Sequence, residues 1–512
     1  MSRLGAIVDL SKEPLAGPLS VEYCVIGSGP AGATAARALG RAGKEVLVLE
    51  EGADRVGPAL TQRDGEMYDQ LYMDRGGRST ADLSIAVLSG RVLGGGSVIN
   101  ASDVVPIHPS VLDVWQRRFG LADYTVQALA EDEAAALADL SASRPDDSLL
   151  NRNNTLLRDG CHKLGWRGEV MLHNRVGCAG LGTCLLGCPL SAKRNARIVP
   201  IPQAIEGGVR FLTRARALRI EQLGADRKRI TVRSLDERGY HEQHHLTIEA
   251  KRVIIAAGAI ASAQLLRRSG LGNQHVGRGF LLQPQLPIAA SFAEPVRCFE
   301  GIPQTYAVTQ FEELQHPVHG FWGFRIEAIG GTPGIVATML PAIGAAGQRL
   351  MQRYPHIAGA LLLHPDAPRD DSILSIERNG RLQIHYQLDA EQVTRFRQSV
   401  EAAVRVYLAA GAEEVLVPQT PPLSFRSLGD LPKLAGLTLR PASVPLISAH
   451  QMGTVKMGAS PATAACSPDG ELYGAPGVFV LDSSLFPSSP SSHIMTPILT
   501  LAHHLSRRLL SR

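Results

Sequence analysis

Two histidines near the end of the chain sit among small and polar residues in settings suited to moving protons. His450 lies in Ser448-Ala449-His450-Gln451-Met452-Gly453-Thr454, and His493 in Ser491-Ser492-His493-Ile494-Met495-Thr496-Pro497. An imidazole titrates near pH 6.5, so either ring can take a proton from a hydroxyl or hold the hydroxyl in line. Standing alone, each ring would more often be a hydrogen-bonded core residue. A second reactive group is sulfur: Cys178, Cys184 and Cys188 crowd into eleven residues, while Cys24, Cys161, Cys298 and Cys466 are solitary. An odd number of cysteines without a secretory signal argues against a disulfide framework.

The N-terminal region supplies a cofactor for such groups to serve. Val21 to Ile26 reads as a buried strand, Gly27-Ser28-Gly29-Pro30-Ala31-Gly32 as a turn, Ala33 to Ala42 as a helix, and Val46 to Leu49 as a second strand ending on Glu50. In this order Gly27 permits the tight turn, Gly29 lets the backbone approach a pyrophosphate, and Gly32 allows close helix–strand packing. The helix N-terminus offers unpaired N–H groups to phosphate. Glu50 is placed to accept hydrogen bonds from ribose hydroxyls, which disfavours a 2′-phosphorylated cofactor. The turn alone does not separate FAD from NAD.

Further segments resemble the glucose–methanol–choline (GMC) oxidoreductases. Gly90-Arg91-Val92-Leu93-Gly94-Gly95-Gly96-Ser97-Val98-Ile99-Asn100 is similar to that family's GRVLGGSSAIN signature. Gly258 to Leu266, continuing to Ser269-Gly270-Leu271-Gly272, resembles its second signature, with Ala263 replacing a usual Pro or Ser. Val478 to Pro487 resembles its C-terminal flavin-contact strand. The resemblance spans residues 21 to 505 in the family's order. It implies an α/β fold: a Rossmann-like FAD-binding domain with a second, α+β substrate domain built on an antiparallel sheet. It implies FAD as cofactor, held by Gly27, Gly29, Gly32, Glu50, Gly94, Gly95, Ser97, Asn100, Asp482 and the backbone of Ala217, in a strand expected over 212–220 where the family usually has valine.

The resemblance also gives the histidines an object. His450 matches the family's H-x-x-G-T-x-x-M-G segment, and His493 its second catalytic position, which is His or Asn in other members. Thr496-Pro497 aligns alternatively with an Asn-Pro pair, but threonine cannot act as a base and SSHIMT matches better. An alkoxide expels hydride far more readily than an alcohol does. The implied reaction is therefore oxidation of a small-molecule alcohol to an aldehyde or ketone, with hydride passing to the flavin.

Cys178-x5-Cys184-x3-Cys188-Pro189 is not explained by flavin chemistry. Three thiolates ending in Cys-Pro suit a 3Fe–4S cluster, and the spacing resembles a GMC branch of bacterial dehydrogenases that carries one. It also resembles the GCxxCGxCxxGC segment of long-chain alcohol oxidases, where one cysteine falls at Leu181 here. A zinc site completed by His173 or His162, a disulfide, and buried reduced thiols stay open. A cluster would make the enzyme a dehydrogenase feeding an electron-acceptor protein, such as a cytochrome or small subunit. Its absence would favour an oxidase using dioxygen. A hydroxynitrile-lyase-type enzyme that retains its flavin, and the catalytic subunit of a membrane-attached complex, are the other readings.

The bulk of the chain fits this picture. Lys plus Arg exceed Asp plus Glu by 52 to 48, a net charge of +4 over 512 residues, too balanced for a nucleic-acid binder. The first twenty residues lack a signal peptide, so a cytoplasmic location is expected, with export alongside a partner subunit left open. The longest charge-free stretch, 328–348, contains Pro333, Pro341 and five glycines, so it is expected to be a substrate-pocket loop and not a membrane span. FAD-binding parts are expected at 16–105, 175–285 and 445–512, with substrate-domain parts at 106–174 and 286–444. Within the latter, Asn379-Gly380 marks a hairpin between two alternating runs. Val393, Phe396, Val400, Val404 and Leu408 mark a helix over 390–410. His503 and His504 are expected to face solvent or cap the last helix.

Overall fold

The run Val46–Leu49 is buried at all four positions and has no polar alternation. That is the signature of a parallel strand covered on both faces. In the computed structural model, which describes residues 5–15, 17–339 and 344–511, it pairs in parallel with Leu19–Ile26, which pairs in turn with Glu242–Ile255. The eight-stranded sheet runs in the order Ile7–Asp9, Arg210–Thr213, Val46–Leu49, Leu19–Ile26, Glu242–Ile255, Arg227–Leu235, Ala215–Gly224, with Val478–Val480 joined to the end of Glu242–Ile255. This last pairing puts the C-terminal segment one strand away from the first strand of the nucleotide turn, on the other edge of the long strand.

Pro30–Arg41 is a helix with Pro at its first turn, where the missing N–H is not needed. It packs against the last helix, Met495–Leu510, which also packs against Val126–Asp139. That sandwich buries His504, whose ring meets the Asp132 carboxylate at 2.9 Å, and half-buries His503 against Asp139 at 2.9 Å. The expectation that both face solvent or cap the last helix is therefore corrected: acidic side chains on the covering helix claim them.

A second, nine-stranded sheet has the order Leu423–Phe425, Glu414–Val417, Gln285–Ser291, Ile357–Leu363, Arg325–Ala328, Tyr306–Val308, Gly168–Val170, all antiparallel. Leu446–Ser448 joins it through Gln285 and carries Ile85–Val87 in parallel, placing His450 just past the sheet edge. The helix Ala390–Ala410 backs this sheet, opened by a capping box of Asp389 and Gln392. Phe396, Val400 and Val404 are fully buried, with Val393 and Leu408 half-buried at its ends. Ile373–Ile376 and Leu382–His385 form the hairpin that Asn379-Gly380 marks.

Two expectations change. The strand over 212–220 is broken at Arg214, which takes a left-handed φ of 56°. Its N–H reaches Gly52 and its carbonyl accepts from Leu235, so the chain leaves Arg210–Thr213 and re-enters the sheet at the opposite edge as Ala215–Gly224. The charge-free 328–348 segment is not a simple loop: after Gly330–Gly331 it forms the helix Pro333–Met339, and Gly344 begins another. Residues 340–343, including Pro341, lie outside the described residues. Among the described residues no helix is long and apolar enough to cross a membrane.

Ile254, fully buried where the long strand meets Leu19–Ile26 and Val478–Val480, joins three parts of the chain. Ile254→Ala is expected to lower unfolding free energy by about 2–5 kcal/mol, measured by chemical denaturation.

Candidate active site

The nucleotide turn is built by close approach of backbones. Gly27 has φ +101°, and a Cβ there would overlap the Ala256 carbonyl; a Cβ on Gly32 would overlap the Gly27 carbonyl. Gly29 differs: its nearest neighbour would be Gly95 Cα at 3.9 Å, so the side it presents is open. Gly94, at φ +102°, donates its N–H to Ser28 Oγ at 3.0 Å, and a Cβ on Gly95 would meet Gly29 Cα at 2.8 Å. The two glycine segments are therefore pressed together through Ser28. Ser97 closes its own turn by donating to the Gly94 carbonyl at 2.7 Å and accepting from Ala196 N–H.

Glu50 is buried and already accepts from Ser28 N–H, Ser28 Oγ and Gly52 N–H at 3.1, 2.6 and 2.8 Å. Burial raises its carboxyl against the pull of these donors. A carboxylate has about four acceptor positions, so one remains for a ribose hydroxyl. Asp482 accepts from Gly258 N–H at 2.8 Å and Ser262 Oγ at 2.5 Å on one oxygen, and from Ser484 on the other. It thereby caps the helix Ala259–Ser269 and the turn that follows its own strand. Burial raises this carboxyl too.

Gly27, Gly29, Glu50, Gly95, Ser97 and Asp482 line a cavity of about 620 Å³, together with Ala217 and Asn100, while Gly32 and Gly94 are not in its lining and serve the packing of the turns. That volume lies within the ordinary range for ligand pockets. The open face of Gly29, the helix N-terminus beyond it and the free position on Glu50 suit the pyrophosphate and ribose of FAD.

His450 and His493 stand at the middle of the same cavity, ring centroids 5.1 Å apart. Their surroundings differ. Gln283 donates its amide N–H to the Ser491 carbonyl at 2.7 Å, so its Oε1 must face His450 Nδ1, 2.8 Å away. His450 therefore carries its proton on Nδ1 and leaves Nε2 with a lone pair; the Gln285 amide packs on the Nδ1 side at 3.3 Å. Depth beneath the surface and the neighbouring His493 push its pKa down to about 3.

His493 has no free nitrogen. Nδ1 is 3.2 Å from Ser492 Oγ, and Nε2 is 3.3 Å from Glu327 and 3.6 Å from Asp103. Burial alone would lower its pKa, but Glu327 and then Asp103 raise it. In return His493 and Arg325 hold the buried Glu327 carboxyl low. Among the described residues, Asp103, Glu327 and His493 are the one set of three metal-ligating side chains whose donor atoms all lie within 4.8 Å of one another. Arg325 sits 3.1 Å from Glu327, so protein cations already occupy this cluster. Neither Gln283, Asp103, Glu327 nor Arg325 belongs to a motif. The one visible trace is the polar pair Gln283 and Gln285 inside the apolar run 280–292.

Beyond the histidines the cavity runs against the nine-stranded sheet, lined by Ile288, Leu361, Ile447, Ile329, Val336 and Met339. No Lys, Arg, Asp or Glu between 285 and 451 lines it among the described residues.

All seven cysteines are free thiols. Cys178 is exposed and Cys184 and Cys188 half-buried, and the three sulfurs do not all lie within 4.8 Å of one another, so they make no single-ion site. The zinc alternative is corrected: His173 Nδ1 faces the Arg175 guanidinium and its Nε2 faces Asp103, while His162 lies against Tyr306. Cys178 Sγ accepts from Gly180 N–H at 3.4 Å and Cys184 Sγ from Arg175 at 3.6 Å. The buried Lys193, its pKa lowered by burial to about 8, ties the Cys184 carbonyl to the Asn100 carbonyl at 2.8 and 2.7 Å.

Comparison with known proteins agrees with this fold. Sequence models of GMC oxidoreductases match residues 68–285 and 368–502, and a model of NAD(P)-binding Rossmann-like domains matches 25–84. An uncharacterised GMC-type oxidoreductase of Mycobacterium tuberculosis is 31% identical over 489 residues, covering 93% of this chain and 74% of that protein. A long-chain-alcohol oxidase of Arabidopsis thaliana is 26% identical over 509 residues, covering 95% and 68%. Among solved structures, pyridoxine 4-oxidase from Mesorbium loti superposes with a TM-score of 0.71 at 19% identity over 96% of this chain and 99% of that one. A formate oxidase of Aspergillus oryzae gives 0.67 at 13% identity over 97% and 99%. The chain belongs to the GMC oxidoreductase family.

The different surroundings of the two glycines separate fold from cofactor binding. Gly29→Ala is expected to leave the denaturation midpoint of flavin-stripped protein unchanged while lowering FAD affinity ~10-fold or more, about 1.4 kcal/mol, in a flavin titration. Gly32→Ala lowers both.

Proposed function

We propose that this GMC oxidoreductase is an FAD-dependent enzyme that oxidises the CH–OH group of an apolar alcohol to an aldehyde or ketone, with His450 as the base. The observation that carries this reading is the free Nε2 of a neutral His450, held in one tautomer by Gln283, between the dinucleotide end of the cavity and its apolar end. FAD, when bound, supplies the acceptor for the hydride. Gly27, Gly29, Gly32, Glu50, Gly94 to Asn100, Ala217 and Asp482 are the residues that would hold it.

The chain's own residues divide the remaining work. His450 Nε2 takes the hydroxyl proton, which makes hydride departure from the carbinol carbon favourable. His493, charged and fixed by Glu327 and Asp103, offers positive charge where alkoxide character develops. The largely aliphatic lining binds the rest of the substrate by excluding water; between 285 and 451 its described residues offer a sugar or choline no charged carboxylate, ammonium or guanidinium, only the amides of Gln285, Gln304 and Gln451 beside His450. The name of the long-chain-alcohol oxidase relative is in keeping with an apolar alcohol.

For the electrons that follow, direct use of dioxygen fits the oxidases the chain is similar to. A second reading, an iron–sulfur exit at Cys178, Cys184 and Cys188 toward an acceptor protein, is favoured by the Lys193 link between the cysteine segment and Asn100 and by N–H donors aimed at two of the sulfurs. Iron analysis and paramagnetic resonance of the isolated protein separate them: no iron and flavin bands alone remove the cluster.

His450→Ala is expected to keep its FAD but to be reduced by substrate ~10²-fold or more slowly in anaerobic stopped flow. An unchanged reduction rate would remove His450 as the base.

A further inference from the structure

The cysteine-bearing segment is joined to the active site by a buried polar chain. Asp103 lies opposite His173 in the short ladder of Asp103–Val104 with Leu172–His173. It is 4% exposed, and neither carboxylate oxygen accepts a hydrogen bond of ordinary geometry. Instead Oδ1 stands 3.4 Å from His173 Nε2 and Oδ2 3.6 Å from His493 Nε2. A buried carboxylate persists in ionised form only with opposite charge or donors beside it, and here two imidazoles take that place.

Arg175 decides which protons those imidazoles carry. Its guanidinium donates to His173 Nδ1 and to the Ala101 carbonyl, and reaches Cys184 Sγ at 3.6 Å. A guanidinium cannot accept, so His173 Nδ1 is the lone-pair nitrogen and its N–H lies on Nε2, facing Asp103. Burial and then Arg175 lower the His173 pKa, which keeps this ring neutral.

We propose that Arg175, His173 and Asp103 form a positioning array which, together with Glu327, keeps His493 charged and oriented beside the substrate end of the cavity. The proposal rests on the reading of His493 as part of the catalytic site. The groups that face His493 are Glu327 and Asp103 as anions, Arg325 beside Glu327, the His450 ring, and Glu312 on the far side of Arg325. Glu327 divides its charge between Arg325 and His493, so Asp103 is the counter-ion that tips the balance toward the imidazolium. A charged His493 in turn keeps His450 neutral, because two cations 5.1 Å apart would repel. The array thus acts through both histidines; of its three members only Asp103 reaches the cavity lining, while Arg175 and His173 stand behind it.

The test uses FAD-loaded protein without substrate, following C2–H exchange of each histidine against pH by mass spectrometry. In the wild-type protein His493 should titrate above its ordinary value. In Asp103→Asn its midpoint should fall by ~1 unit or more, with flavin content retained. Reduction of the flavin by an alcohol should slow ~10-fold or more. His173→Leu keeps the carboxylate but loses its orienting donor, so it should move the midpoint the same way by less; it decides the matter if the asparagine variant loses flavin. An unmoved His493 midpoint in a flavin-bearing variant overturns the array. A fallen midpoint with an unchanged reduction rate supports the array and contradicts the assignment of His493 to catalysis.

Discussion

The buried ion pair between His493 and Glu327 sets conditions that the surrounding structure has to meet. Removing either partner would strand a charge in a low-dielectric interior at a cost of several kcal/mol. Glu327 is fully buried in the strand Arg325–Ala328, Asp103 comes from the two-stranded ribbon, and His493 from the segment before the last helix. The three elements are far apart in the chain and meet at this one cluster. Arg325 ties them further, donating to Ser492 Oγ at 2.7 Å while pairing with Glu327. The charge on His493 then leaves its neighbour His450 as the neutral ring.

The cofactor end obeys a different constraint, that of space. Gly27, Gly32 and Gly95 lie where a side chain would strike another backbone, and Ser28 joins the two glycine segments with its hydroxyl. Glu50 and Asp482 spend most of their acceptor capacity on the protein itself. They fix the shape of the groove first and offer what remains to a ligand. Because Val478–Val480 is hydrogen-bonded to the same long strand as Leu19–Ile26, Asp482 at its end joins the glycine turn in lining the groove.

What could be read from the sequence was whatever local spacing encodes. Gly27 to Gly32 between two apolar runs, and the stripe Phe396, Val400, Val404, announce a turn and a helix that formed where the pattern placed them. The break at Arg214 was hidden, because a left-handed arginine carries no compositional mark and depends on hydrogen bonds to Gly52 and Leu235. The partners of the histidines were hidden for a related reason: Asp103, Gln283 and Glu327 lie 390, 167 and 166 positions from the rings they serve, and nothing local distinguishes them from other polar residues. His504 was misread because its burial is decided by Asp132 on another helix.

The proposed reaction is transfer of the carbinol hydrogen of an apolar alcohol to the flavin, with His450 as the base. The direct measurement is anaerobic mixing of FAD-loaded protein with apolar primary alcohols carrying hydrogen or deuterium at the carbinol carbon, followed by flavin absorbance. Hydride transfer of this kind should bleach the flavin, more slowly with deuterium and far more weakly with sugars. Product formation without bleaching, as a flavin-retaining lyase would give, or bleaching by polyols alone, would contradict it.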